Sequence, residues 1–297
     1  MRLSYLDRLL RRASRENKEK FLIAWNRGLG DIPLILYALV HRIRYFIPRA
    51  SITFLTRTDL ALGFEMLDNV HVLPCPHWKR GHLFDVDQSL AIHQLTLEHY
   101  DVFLETIDLD RWFQWQIGVL TPKLKWEKKW DALSDRYCLD REKTYIGVHV
   151  NTETARYYNY EKNWPLDRWQ ALFAQICKWK NTALILFGRE KKPFFCANNI
   201  IDLRGETSIF DVLSVIKNHC HSLIAPDSGI LSLIYYIEAH FPLLIVSLWA
   251  DPRRGILRQN VASPNRKLEH LPIVETRRDI SSISCRRVYE TLLGKTS

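Results

Sequence analysis

Four short stretches of this 297-residue chain end an apolar run in glycine, hydroxyl or charged residues. Open α/β sheets present ligand-binding groups at their carboxyl edges in this way. The first stretch, residues 25–31, is Trp25-Asn26-Arg27-Gly28-Leu29-Gly30-Asp31. Gly28 and Gly30 let backbone approach a ligand, Arg27 adds a cation, and Asp31 either stands at the sheet's carboxyl edge where ligands bind or is an ordinary helix cap. Pro33 stands where the dinucleotide fingerprint needs its third glycine, so that motif fails. In the second stretch, KNWPLDRW, Lys162 precedes a proline-started helix and is either a point charge within reach of a diphosphate or a solvated lysine. The third, LILFGRE, offers Glu190 as a carboxylate for a ribose diol or as a plain loop residue. In the fourth, LIAPDSG, Ser228 and the following N–H groups from Gly229 onward form a phosphate cradle, with Asp227 capping a helix or accepting sugar hydroxyls. Structural capping alone also explains that stretch.

These turns need strands before them and helices after them. Strand-length apolar runs fall at residues 21–25, 52–55, 70–73 and 102–104, then again at 145–150, 183–187, 200–203, 222–225 and 243–248. Helical patterns at 32–47, 166–179, 209–219 and 230–239 separate them, which predicts an α/β protein with parallel sheets. Ser208 with Asp211 three residues on reads as a capping box for the helix from 209. The charged, strandless segment 122–143 reads as the inter-domain connection. It gives an N-terminal domain over 1–142 and a C-terminal domain over 143–297, the last helix being a candidate to return to the first domain.

The remaining features mostly exclude. No apolar run reaches the roughly 18 residues of a membrane span. Charges interrupt the first twenty residues, so a secretory signal is not expected. Leu3, Leu6, Leu9 and Leu10 share a helical face there, either lying on an anionic leaflet or packing on the protein body. The six cysteines lack close pairing and the histidines lack HxH or HExxH spacing, so neither a disulfide framework nor a zinc site is expected. A net charge of +9 attracts polyanions of any kind. No GxSxG elbow or Walker motif appears. Trp112, Trp115, Trp126 and Trp130 are candidates for stacking on sugar or lipid, or for core packing.

Taken in order, the four stretches resemble glycosyltransferase family 9, the lipopolysaccharide heptosyltransferases. Members open with a strand, a small-residue turn ending in Gly-Asp and a helix carrying Pro, matched here by FLIAWNRGLGDIPLILYALVHRIRYFIPRASITFL. KNWPLDRW, LILFGRE, DLRGETS and, in part, DSGILS follow in the family's order, so the resemblance runs from about residue 21 to residue 260. It implies a GT-B fold of two Rossmann-like domains whose parallel sheets face a central cleft. The first domain would take the acceptor and the second the donor. It also implies inverting, metal-independent transfer of a heptose-like sugar, without a cofactor, from an ADP- or other NDP-sugar to an anionic lipopolysaccharide-core glycolipid. The protein would be a cytoplasmic monomer, peripheral at the inner face of the inner membrane and not bound to nucleic acid. Carried over by position, Asp31 is the general base, Lys162 neutralises the diphosphate and Glu190 holds the ribose. Asp227, Ser228, Gly229 and Ser232 line the sugar-phosphate end, with Asn151 and Thr152 as candidates for hydrogen bonds to phosphate. Ser232 stands where the family has histidine. The loop over 151–161, with Tyr157, Tyr158 and Tyr160, looks longer than in the family and is either a lid or an exposed insertion. Two other readings keep the fold: a nucleotide-sugar epimerase and a non-catalytic nucleotide-sugar-binding protein.

Overall fold

The computed structural model describes residues 4–80, 82, 85–105, 107–108, 111–152, 160–195, 197–275 and 279–296. They form two compact units, one of residues 1–125 with 259–261 and one of 126–258 with 262–297.

In the first unit, β1 (Lys20–Trp25), β2 (Ser51–Arg57), β3 (Val70–Cys75) and β4 (Val102–Leu104) make a parallel sheet in the order β3-β2-β1-β4. Continuous burial of Phe21 to Trp25 and Ile52 to Arg57 fits strands covered on both faces. Between β1 and β2 the chain forms a π-helical turn, Ile32–Leu36, in which Tyr37 N–H bonds Ile32 C=O, and then helix α2 (Tyr37–Phe46). Pro33 has no N–H to donate and sits in the first turn, where that donor would be unused. Ahead of β1 lies α1 (Tyr5–Arg15). Leu6 and Leu10 are fully buried and Asp7 pairs with Arg42 at 2.8 Å, so the apolar face of α1 is taken up by the protein body. Its outward face keeps Arg8, Arg11, Arg12 and Arg15. Of the four tryptophans considered for stacking, Trp112 stacks on Tyr5 and Trp115 lies under the Arg42 guanidinium. Both are structural contacts.

The second unit orders six parallel strands β7-β6-β5-β8-β9-β10. These are β5 (Thr144–His149), β6 (Thr182–Phe187), β7 (Ile200–Asp202), β8 (Cys220–Pro226), β9 (Leu243–Trp249) and β10 (Leu268–Val274). Counted within the unit this is 3-2-1-4-5-6, the doubly wound order, with its switch point between β5 and β8. Ile146, Val148, Leu184, Leu186, Ile224 and Val246 cover one sheet face with Trp169, Leu172 and Phe173 of α3 (Leu166–Ile176) and Val288 and Leu292 of α4 (Cys285–Thr296). The last helix packs on α3 of its own unit, with Trp179 Nε1 donating to Tyr289 Oη at 3.0 Å. The capping box at Ser208 and Asp211 is present and starts α5 (Ile209–His219).

Two expectations change. The units part at residue 125, not at 142. A 3₁₀-helical segment, Lys128–Tyr137, packs on α5 through Trp130, which stacks on Phe210 at 4.1 Å, and through Lys217 paired with Asp131. The charge density that looked like a linker covers an apolar seam formed by Trp126, Trp130 and Phe210. The second change is β10, which gave no strand signal because Pro272 interrupts it. As the edge strand of the sheet it tolerates that residue. Replacing Trp130, which is 4 % exposed, with alanine should destabilise the second unit by about 3 kcal/mol or more. Urea unfolding followed by Trp fluorescence measures this.

Candidate functional site

In the first unit the turn after β1 is held by its neighbours. Thr56 Oγ1 donates to Trp25 C=O at 2.8 Å, and Asn26 Nδ2 donates to Lys79 C=O at 2.8 Å. Arg57, only 6 % exposed, forks onto Asp59 and also donates to Arg27 C=O at 3.3 Å. Arg27 itself is exposed, its guanidinium 5.5 Å from the Trp25 ring. Asp31 does not cap the helix. Its Oδ2 accepts the Gly28 N–H at 2.8 Å, which folds the half-buried carboxylate back over the turn. A Cβ on Gly28 would lie 3.3 Å from Arg80 Nη2 and 3.5 Å from Asp31 Oδ2, so Arg80 and Asp31 converge on this glycine. Gly30 is half-buried in the same turn, its carbonyl accepting from Leu34 N–H. Arg80 belongs to a loop without strand or helix pattern and carried no sequence signal.

The second unit gathers the other candidates at the β5/β8 switch point. The carboxyl ends of β5 and β8 are adjacent, so the loops holding Asn151 and Thr152 and those holding Asp227 and Ser228 meet there. Lys162 Nζ lies 2.9 Å from Asp227 Oδ2, with the two side chains 14 % and 9 % exposed. Lys162 Nζ also stands 5.2 Å from the Tyr160 ring. Asn163 links Thr152 and Glu161. Its Oδ1 accepts the Thr152 N–H at 2.7 Å, while its own N–H donates to Glu161 Oε1 at 2.7 Å. Tyr157 and Tyr158 lie outside the described residues.

Ser228 caps α6 (Gly229–Tyr235), its Oγ accepting Leu231 N–H at 3.2 Å, so the cap is the serine and Asp227 is released to pair with Lys162. Gly229, half-buried, begins that helix. Ser232, 2 % exposed, donates its hydroxyl to Ser228 C=O at 3.1 Å. That bond turns the hydroxyl's hydrogen into the helix. Glu190 is exposed, two residues past Gly188 at the end of β6. The neighbouring segment is tied to the β5 loop by Asn151 Nδ2 donating to Lys192 C=O at 3.3 Å.

Gly255, Asp251, Arg253, Arg254 and His149 carry no motif signal of their own and also lie here. Gly255, at φ +49°, starts α7 (Gly255–Gln259) against the site. A Cβ there would come within 2.6 Å of Asp227 Oδ1 and 2.7 Å of the Trp249 ring. Asp251 is gripped by Arg253 at 2.8 Å, and the Arg254 guanidinium lies 5.6 Å from the Tyr160 ring. Burial pushes the Tyr160 phenol well above its usual range, and the charge of Asp227 adds to this. His149, ending β5 just before the Asn151 loop, is 8 % exposed, and burial lowers its pKa to about 4. Among the described residues no group of three or more His, Cys, Asp or Glu is placed to hold a metal ion, and no helix is long and apolar enough to cross a membrane.

No protein-family model and no curated protein matches the chain by sequence. Solved structures do match by fold. E. coli ADP-heptose lps heptosyltransferase II superposes with a TM-score of 0.66 at 15% identity, covering 93% of this chain and 98% of its own. The glycosyl transferase family 9 structure from Veillonella parvula DSM 2008 gives 0.60 at 14%, covering 94% and 98%. E. coli heptosyltransferase WaaC with ADP gives 0.51 at 13%, covering 93% and 99%. The fold is that of the GT-B heptosyltransferases of glycosyltransferase family 9, over nearly the whole chain.

Two outcomes follow from this geometry. Gly255→Ala adds a methyl where Asp227 and Trp249 leave no room, at a positive φ, and should destabilise the second unit by about 1 to 3 kcal/mol; thermal unfolding reads this. His149 and His270 both have pKa values lowered to about 4 by burial, so protonation favours the unfolded chain. Their contribution to stability is complete above about 6.5 and declines as pH falls towards about 4. Urea titrations at pH 7.5, 5.5 and 4.5 should show a shallower decline for His149→Gln than for the parent chain.

Proposed function

We propose that this chain is a glycosyltransferase that moves a sugar from a nucleoside-diphosphate donor, held by the second unit, to an acceptor hydroxyl activated by Asp31. The observation that carries the reading is the convergence of Lys162, Asp227, Asn151 and Thr152 at the β5/β8 switch point, where doubly wound sheets receive nucleotides. In the donor complex Lys162 exchanges its partner Asp227 for the leaving diphosphate. Asp227 then becomes an acceptor for sugar hydroxyls. Glu190, exposed beyond β6, accepts the ribose diol.

The reaction is a single displacement. The Asp31 carboxylate takes the proton of the acceptor hydroxyl as its oxygen bonds the anomeric carbon. The bond from that carbon to the diphosphate oxygen breaks on the opposite side, and the electron pair leaves with the diphosphate. Inversion at the anomeric carbon follows from that geometry. Lys162 supplies the positive charge that a metal would otherwise bring to the leaving group, so the transfer is metal-independent.

A heptose-like sugar, an ADP carrier and an anionic lipopolysaccharide-core acceptor are the specific identities we favour, supported by the motif order and by the fold shared with heptosyltransferases. The exposed arginines of α1 and the net charge of +9 favour such an acceptor, presented at the inner face of a membrane.

Asp31→Ala is the test. Purified protein should release nucleoside diphosphate from an NDP-sugar in the presence of acceptor, and EDTA should leave that rate unchanged. The variant should lose at least a hundredfold in turnover, the contribution typical of a general base, with unchanged donor affinity. Conversion of the donor without acceptor would favour the epimerase reading. Donor binding with no turnover in the parent chain would make it a binding protein.

A further inference from the structure

We infer that Arg254, carried by the loop after β9, is a second cation for the donor's phosphates; the inference rests on the nucleotide-sugar reading of the second unit's site. The argument begins with charge. A diphosphate brings about two negative charges into the pocket. Lys162, the cation assigned to it, is already neutralised by Asp227 at 2.9 Å. Ser232, where the resembled family has histidine, gives its hydroxyl to Ser228 C=O from a buried position and brings no positive charge. A pocket built from Lys162 and Asp227 alone therefore meets an anion with no net positive charge.

The loop after β9 corrects this. Asp251, 5 % exposed, is chelated by Arg253 through two hydrogen bonds of 2.9 and 2.8 Å. Arg254 is left 4.0 Å from the same carboxylate, too far for a hydrogen bond, with its side chain 56 % exposed. Its guanidinium lies 5.6 Å from the Tyr160 ring, and Lys162 Nζ lies 5.2 Å from the same ring, so one aromatic side chain sits against both cations. Three cations, Lys162, Arg253 and Arg254, then face two carboxylates, Asp227 and Asp251. The positive charge in excess is on the most loosely held of the three.

Gly255 fixes the position of that charge. Its backbone, at φ +49°, runs so close to Asp227 that no Cβ fits, which holds the adjacent Arg254 beside the Lys162–Asp227 pair. Arginine suits this task because its planar fork makes paired hydrogen bonds to phosphate oxygens, and at a half-exposed site it is free to swing onto them. Arg254 is thus a donor-binding residue that sets affinity for the diphosphate and leaves recognition of the nucleoside unaffected.

Isothermal titration of the full chain with ADP, GDP and UDP, and with adenosine, guanosine and uridine, tests this. One diphosphate should bind better than its nucleoside. Arg254→Gln should weaken that diphosphate by about tenfold or more with the nucleoside unchanged, and Arg254→Lys should recover part of the loss. Equal diphosphate affinity in the parent and Arg254→Gln overturns the inference, as does an equal loss for diphosphate and nucleoside. If the parent chain binds none of the six, the nucleotide-sugar reading itself falls and this inference with it. Circular dichroism of the Arg254→Gln variant confirms that it is folded.

Discussion

A reversal of strand order positions the candidate site. In the second unit the chain lays down β5, β6 and β7 outward in one direction, then crosses back to place β8 on the other side of β5. Side by side at that point, the β5 and β8 loops no longer have a crossover helix between them, and a crevice opens at the carboxyl edge of the sheet. The Lys162–Asp227 pair forms there because Asp227 terminates β8 and Lys162 returns from the β5 loop just before α3. Without the reversal, Asn151, Thr152, Lys162 and Asp227 would be four separate loop residues.

The elements around the crevice serve to hold these loops. Trp164, 2 % exposed, sits two residues after Lys162. Its Nε1 donates to Ile283 C=O at 2.9 Å and its ring meets Trp169 edge-on, so the lysine stands on a rigid base. Asn163 ties Thr152 and Glu161 to the approach to α3, and Gly255 brings the β9 loop against Asp227. In the first unit, Arg57 and Thr56 from β2 brace the turn after β1 in a comparable way, and that turn presents Asp31. Each half holds its polar groups on loops at the end of a parallel sheet.

Much of this was legible in the residues. Strands such as β6 and β9, buried on both faces, are continuous apolar runs that no helix pattern imitates, and Ser208 with Asp211 announced its helix start. Pro165 and the paired tryptophans marked the entry to α3. What escaped was information that lies in three dimensions. β10 carries Pro272 and is legible as a strand only once it is known to be an edge. The segment after residue 125 looked like a linker because its charges are local in sequence while its partner, Phe210, is not. Arg80, Arg254 and His149 sit in no motif, and only their placement beside Asp31, Tyr160 and the switch point makes them notable. Ser232 shows the opposite case. It occupies a motif position, but a four-residue back-bond to Ser228 takes its hydroxyl into the helix.

The central claim is that the second unit's switch point receives the phosphates of a nucleotide-sugar. A crystal structure of the chain with the best-binding nucleoside diphosphate tests it most directly. The account predicts the diphosphate lying between the β5 and β8 loops, within hydrogen-bond distance of Lys162 Nζ, with the Lys162–Asp227 contact opened beyond its present 2.9 Å. A nucleotide bound elsewhere, or bound here with the Lys162–Asp227 pair intact and no phosphate touching the lysine, would contradict it.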